Sequence, residues 1–257
     1  MKRILTVLVL FAGFMFLAQG MAQATTFSFG DESIYWPGWT DSYNTANNTK
    51  DVVGTPDLTG GKVVTDSSGN LTSISIRYTS VDSHNPIRYV AGDLFIDLDR
   101  DANWDYVVHN NYNTSNGHWT LSSTTSILYN LNNSIARNSS SYLLSNDTLN
   151  NGNNGNGFRN DHPVVISDAA LSGMTALDSV VITDFSSTVP GNVVFAFSGG
   201  SAINVNWNSA IIGFAPTCAN DVIYSQVPEP ATLLLLGLGL FGMGIVSRKR
   251  FFSGRKG

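Results

Sequence analysis

From residue 93 the chain reads Asp93-Leu-Phe-Ile-Asp97-Leu-Asp99-Arg-Asp101-Ala-Asn103-Trp-Asp105, so an oxygen-bearing side chain falls on every second position from 97 to 105. Carboxylates this dense on one short segment repel each other strongly unless a cation lies among them. A hard ion such as Ca²⁺ takes about 6–8 oxygens at roughly 2.3–2.6 Å, and a loop folding back on itself supplies several. Asp97, Asp99, Asp101, Asn103 and Asp105 are therefore candidate Ca²⁺ ligands. Asp also caps turns without any metal, so a metal-free acidic turn fits the same residues.

The alternation resembles the opening of EF-hand and dockerin loops. Ala102 replaces their turn glycine, however, and Val108 stands where a bidentate Glu belongs, so the segment is not an EF-hand. It also divides naturally into a hairpin. Phe95 and Ile96 then lie in one strand, Asp99 to Asn103 form a tight Asx-type turn, and Trp104 to Val108 return.

A second chemistry is suggested by aromatic runs, Tyr35-Trp36-Pro37-Gly38-Trp39 with Tyr43 nearby, and Tyr112 with His118 and Trp119. Exposed rings stack on the apolar faces of sugars, and Trp39 and Trp119, with loop-like neighbours, are candidate carbohydrate-binding residues. Trp36, Trp104 and Trp207 are assigned to the core. No catalytic residue is assigned. His84, His109, His118 and His162 share no metal-ligand spacing, and no His-Glu-x-x-His, Cys pair or Gly-x-Ser-x-Gly occurs. Asp97 and Asp161 could form an acid and base only if folding brought them together. Asp161-His162-Pro163 fits a strand entry as well as a site.

The elements that must position these residues are short strands: Leu71 to Thr79, Asp93 to Leu98, Asp105 to His109, Ser179 to Thr183, Val193 to Phe197 and Ala202 to Trp207. Gly, Asn and Ser clusters separate them. Only Asp168 to Leu177 reads as a short helix. Asn150 to Gly157 is an Asn/Gly run expected to be an exposed loop, and Cys218 to Tyr224 an edge strand closing the domain. The expected fold is all-β, an antiparallel β-sandwich of jelly-roll-like form.

Seven of the 14 Lys and Arg side chains lie in the two chain ends, while 18 of the 19 acidic ones lie between them, which leaves the middle at about −11. Such a surface repels phosphate and excludes nucleic acid as a partner. Asp far outnumbers Glu, which favours turns and oxygen-rich loops over helices. Cys218 is the single cysteine, so no disulfide framework exists, and its thiol is expected to be buried.

The ends carry addresses. Met1-Lys2-Arg3, the apolar run Ile4 to Leu17 and Ala22-Gln23-Ala24 form a signal peptide over residues 1–24, to be cut by signal peptidase before Thr25. Residues 25–226 then form one extracytoplasmic domain. Residues 227–257 open with Val227-Pro228-Glu229-Pro230, continue through a nearly unbroken apolar stretch at Ala231 to Val246, and close on Arg248-Lys249-Arg250. About 16 helical residues reach ~24 Å, just short of a typical hydrocarbon core. The basic cluster keeps the tail cytoplasmic and the domain outside the inner membrane.

These last residues resemble the PEP-CTERM family of exported bacterial proteins. The resemblance implies a transmembrane sorting helix, removal or transfer of the tail by an exosortase, and a Gram-negative host that makes extracellular polysaccharide. Asp97-x-Asp99-x-Asp101-x-x-Trp104-Asp105-Tyr106 and the Cys218-x-Asn220-Asp221-x-Ile223 ending resemble patterns in the same family, which implies a structural role for the hairpin. The expectation is a non-enzymatic protein of the cell surface or polysaccharide matrix, stabilised by Ca²⁺. The alternative is a carbohydrate-binding module or glycan-active enzyme of that matrix.

Overall fold

The computed structural model describes residues 24–31, 36, 55–80, 90–115, 118–139, 141–144, 163–186, 189–198, 203, 207–219 and 221–227, with the side chains of 80, 113–120 and 208 left aside. The helix expected at 231–246, the signal-peptide residues up to 23, Trp39, His162 and the Asn/Gly run lie outside the described residues.

Among the described residues fourteen strands run in chain order as β1 (Thr25–Phe29), β2 (Asp57–Thr65), β3 (Leu71–Ser80), β4 (Ala91–Asp97), β5 (Asn103–His109), β6 (Tyr112–Ser115), β7 (His118–Leu121), β8 (Thr125–Ala136), β9 (Leu143–Leu144), β10 (Val165–Ile166), β11 (Thr175–Thr183), β12 (Gly191–Phe197), β13 (Ile211–Pro216) and β14 (Ile223–Gln226). Ten form one antiparallel ladder in the order β1-β2-β3-β12-β11-β8-β5-β4-β13-β14. The expected antiparallel sandwich is what forms, and its two layers are the arms of this single, nearly closed sheet. The ladder curls until β14 lies against β2, where the Leu58 N–H donates to Asp221 Oδ2 at 2.5 Å.

Alternation of side chains fills the space inside the curl. Ile74, Ile76 and Tyr78 of β3 and Val193 and Phe195 of β12 meet Leu94, Ile96, Ile212 and Phe214 from the opposite arm. The Phe195 and Phe214 rings touch edge to face at 5.9 Å. Strand β4 is buried at every residue, because a second cluster covers its outer face. There Phe95, Trp104 and Val107 pack under Trp36, Leu143, Val164 and Leu171. Trp36, Trp104 and Trp207 are all core residues, and Cys218 is buried, as expected from sequence. Gly213 is required by this packing: a Cβ there would lie 2.4 Å from Trp36 and 2.7 Å from Trp104.

Three expected elements differ, the first being the closing edge strand, which runs at Ile223–Gln226 rather than from Cys218 to Tyr224 because the chain turns at Thr217 and Cys218, and Ala219 has φ 51°. The helix α1 is a single turn, Asp168–Leu171, capped by Ser167, whose Oγ accepts from the Ala170 N–H. Gly173 at φ +88° ends it, and Thr175 already belongs to β11, so the Asp168 to Leu177 helix was overlong. Trp207 opens a 3-10 turn, Trp207–Ser209, rather than closing a strand.

Candidate functional site

The acidic segment forms the tip of the β4–β5 hairpin. Register pairs Leu94 with Val108, Phe95 with Val107 and Ile96 with Tyr106. One step further sets Asp97 opposite Asp105, and one step back sets Asp93 opposite His109. Like charges directly across a ladder destabilise it, so the first pair needs a compensating positive charge. Between the strands Arg100 (φ 64°) and Ala102 (φ 75°) take the left-handed conformation, an unfavourable one for side chains with a Cβ. Local bonds hold the turn. Arg100 N donates to Asp97 Oδ1 at 2.7 Å, Leu98 N to Asp105 Oδ2 at 2.7 Å, and Asp101 N to Asp99 Oδ1 at 3.1 Å.

Asp97, Asp99 and Asp105 each bring a carboxylate oxygen within 4.8 Å of the others. Ligands of one Ca²⁺ lie at most roughly 5 Å apart, twice the metal–oxygen distance, so a single ion could reach all three. Asp97 is buried, Asp105 half-buried and Asp99 exposed, which gives the cluster an anchored base and an open rim. Arg137 Nε lies 3.2 Å from Asp97 Oδ2 and offsets part of the charge. Asp101 and Asn103 are bonded to each other, Asn103 N to Asp101 Oδ1 at 2.9 Å. Asn133 Nδ2 also donates to Asp101, from a protrusion of β8 where Asn132 and Asn133 have positive φ.

Burial pushes the Asp97 carboxyl above its usual range, against the Arg100 N–H and Arg137, and Asp105 and Asp99 push it further. Asp105 is raised likewise, by burial first and then by Asp99 and Asp101, with the Leu98 N–H opposing. Asp101 goes the other way, lowered chiefly by the Asn103 N–H. The two carboxyls that face each other across the ladder are thus the ones held in an unfavourable ionised state. A divalent cation would relieve it.

At the opposite end of the same hairpin lies a group that spacing in sequence did not reveal. Asp93, fully buried, accepts from Asn110 N at 2.9 Å and Tyr112 Oη at 3.1 Å through one oxygen. Its other oxygen meets His109 Nδ1 at 2.8 Å and accepts from Ile166 N at 2.8 Å. Burial opposes protonation of His109, but Asp93 and then Asp168 outweigh it and raise the imidazole above its usual value. The signal was the hairpin register itself, which sets His109 across from Asp93.

Trp119 lies in β7, but its side chain, like all of Trp39, is outside the described residues. Ala24 precedes β1, which begins at Thr25. Val227, first residue of the sorting motif, is buried in the main core and its N–H donates to Ala210 O at 2.8 Å. Pro228, Glu229, Pro230, Arg248, Lys249 and Arg250 lie outside the described residues. No helix among the described residues is long and apolar enough to cross a membrane.

Residues 226–250 match the family model of the PEP-CTERM protein-sorting motif. No curated protein and no solved structure matches the chain. The chain is an exported protein with a C-terminal sorting signal of the kind handled by an exosortase.

Proposed function

We propose that this chain is a non-enzymatic structural domain of the cell surface or extracellular polysaccharide matrix, held rigid by Ca²⁺ at the tip of its β4–β5 hairpin. Signal peptidase cuts it before Thr25. The helix at Ala231 to Val246 then holds it in the inner membrane, basic tail inward, until the exosortase acts. The observation that carries the calcium reading is the convergence of Asp97, Asp99 and Asp105 within 4.8 Å. Asp101 and Asn103 shape the rim of that site.

The ion's work is mechanical. It cancels the repulsion between Asp97 and Asp105 and fixes a turn that otherwise depends on two residues at positive φ. A ligand that binds only the folded state stabilises it by about 2.7 kcal/mol at a hundred times its Kd. For a domain of this size that is a rise in Tm of roughly 5–10 °C. Thermal unfolding in chelator and in millimolar Ca²⁺ tests the reading, and identical melting temperatures would refute it.

A further inference from the structure

A cavity of about 490 Å³ opens between β5, β8, β10 and α1, at the end of the hairpin away from the acidic turn. His109 stands in its wall. Its Nδ1 is tied to the buried Asp93, which is itself fixed by two backbone N–H groups and Tyr112, so the ring cannot swing. The Nε2 is directed toward Asp168, 3.3 Å from Oδ1. The two partners differ sharply: the His109 side chain is 17% exposed, Asp168 is 97% exposed. One is a fixed post, the other a solvated arm free to change partner.

We propose that this cavity binds a neutral sugar residue, with Asp168 and His109 Nε2 hydrogen-bonding its hydroxyls and Tyr129 packing against the apolar face of its ring. The lining decides the class of ligand. Strands β5 and β8 supply His109, Ile127 and Tyr129, with His109 and Ile127 as register partners, and the β9–α1 side supplies Leu144, Ser167 and Asp168, so each side brings apolar and polar groups together. The volume is that of a small-molecule site. Among the described residues no Lys or Arg lines it, and the carboxylate of Asp168 repels anions, which disfavours phosphates, nucleotides and acidic sugars. A purely apolar ligand would leave the polar groups of the lining unsatisfied.

A neutral sugar suits this mixed lining, since it offers an apolar ring face and a rim of hydroxyls that both donate and accept. The carboxylate can only accept, while His109 Nε2 accepts from a hydroxyl when the ring is neutral, because Asp93 holds the proton on Nδ1, and donates to one when the ring is protonated. The His109 and Tyr129 rings stand 6.5 Å apart at 63°, so the polar contact and the stacking face meet at a corner. Ile127, 41% exposed, adds apolar surface beside His109, its register partner. His109 stands apart from the acidic turn, six steps of about 3.3 Å along extended β5 from Asn103, or roughly 20 Å.

The test is saturation-transfer NMR on the purified full chain, in a detergent whose headgroup is not a sugar. The probes are methyl glycosides of glucose, galactose, mannose, xylose and N-acetylglucosamine. At least one glycoside should receive saturation from the wild-type chain and shift the ¹⁵N resonance of His109 Nε2. Asp168→Ala, which removes a solvated side chain, should weaken binding at least tenfold while the variant stays folded by circular dichroism, and Tyr129→Leu should do the same. Absence of transfer to every glycoside overturns the proposal. So does transfer that survives Asp168→Ala unchanged, which would place the sugar elsewhere, and so does a His109 response to Zn²⁺ alone, which would make the pair a metal site. Each of these results leaves the Ca²⁺ dependence of Tm, and hence the reading of the acidic turn, to stand or fall separately.

Discussion

Asp93→Asn separates a carboxylate that merely sits in the core from one that organises it. The side chain joins β4 to the Asn110 and Tyr112 segment through one oxygen and to His109 and β10 through the other. An asparagine of the same shape has one acceptor oxygen and one NH₂ group, and either orientation points that NH₂ at a buried backbone N–H. If it faces β10, Ile166 N loses its acceptor. If it faces the other way, Asn110 N does, while Tyr112 Oη retains Ala91 O at 3.0 Å. One orphaned buried donor costs about 1–3 kcal/mol, and loss of the charge-assisted bond to His109 adds to it. Asp93→Asn should therefore destabilise the protein by about 2–4 kcal/mol in urea unfolding. It should also lower the His109 pKa, read from its ¹⁵N shifts, because the nearer of its two carboxylates has gone. A stability within about 0.5 kcal/mol of wild type would refute the reasoning, since experiment resolves differences of that size.

Asp184 is pushed up to about 6 from an ordinary 3.8, chiefly by burial, against the N–H groups of Phe185 and Ala91. Its folded pKa exceeds its unfolded one, so its contribution is complete below about pH 4 and is lost as pH rises through 6, worth about 3 kcal/mol. Asp184→Asn retains an acceptor for both N–H groups, each at 2.8 Å, and should abolish that slope and stabilise the protein at pH 7. A variant less stable than wild type at pH 7 would contradict this. Gly213→Ala drives a methyl into Trp36 and Trp104 and should cost about 1–3 kcal/mol in urea unfolding, with altered near-ultraviolet circular dichroism from the displaced rings. Val227→Ala should cost about 1–3 kcal/mol, because this motif residue is wholly buried. No loss in urea unfolding would mean that the fold ends before the motif.

The hairpin was legible because its information is local. Asx-type turn residues between two apolar runs dictate both a turn and its centre, and the observed strands end at Asp97 and restart at Asn103. Leu71–Ser80 was equally plain from its alternation. The sequence also shows which tryptophans can be core, but not that Trp36 crosses to lie 5.3 Å from Trp104. That contact depends on a distant segment closing over β4. The same holds for the cavity. Asp93 and His109 follow from register once the hairpin centre is known, whereas Asp168 arrives only because β10 bonds to Asp93 and sets α1 beside it. Helix length was misjudged because the apolar spacing around Leu171 and Leu177 suits a helix, while a left-handed Gly173 between them turns the chain into a strand.

Uptake of Ca²⁺ at the hairpin tip is measured most directly in solution. Isothermal titration of the chelator-treated chain with Ca²⁺ should show one ion bound per chain. An Asp99→Asn, Asp105→Asn double variant, which keeps the shapes of both side chains and removes two of the three converging charges, should bind none. Titration heats that match buffer dilution in the wild-type chain, or an unchanged single-site isotherm in the double variant, would contradict the account.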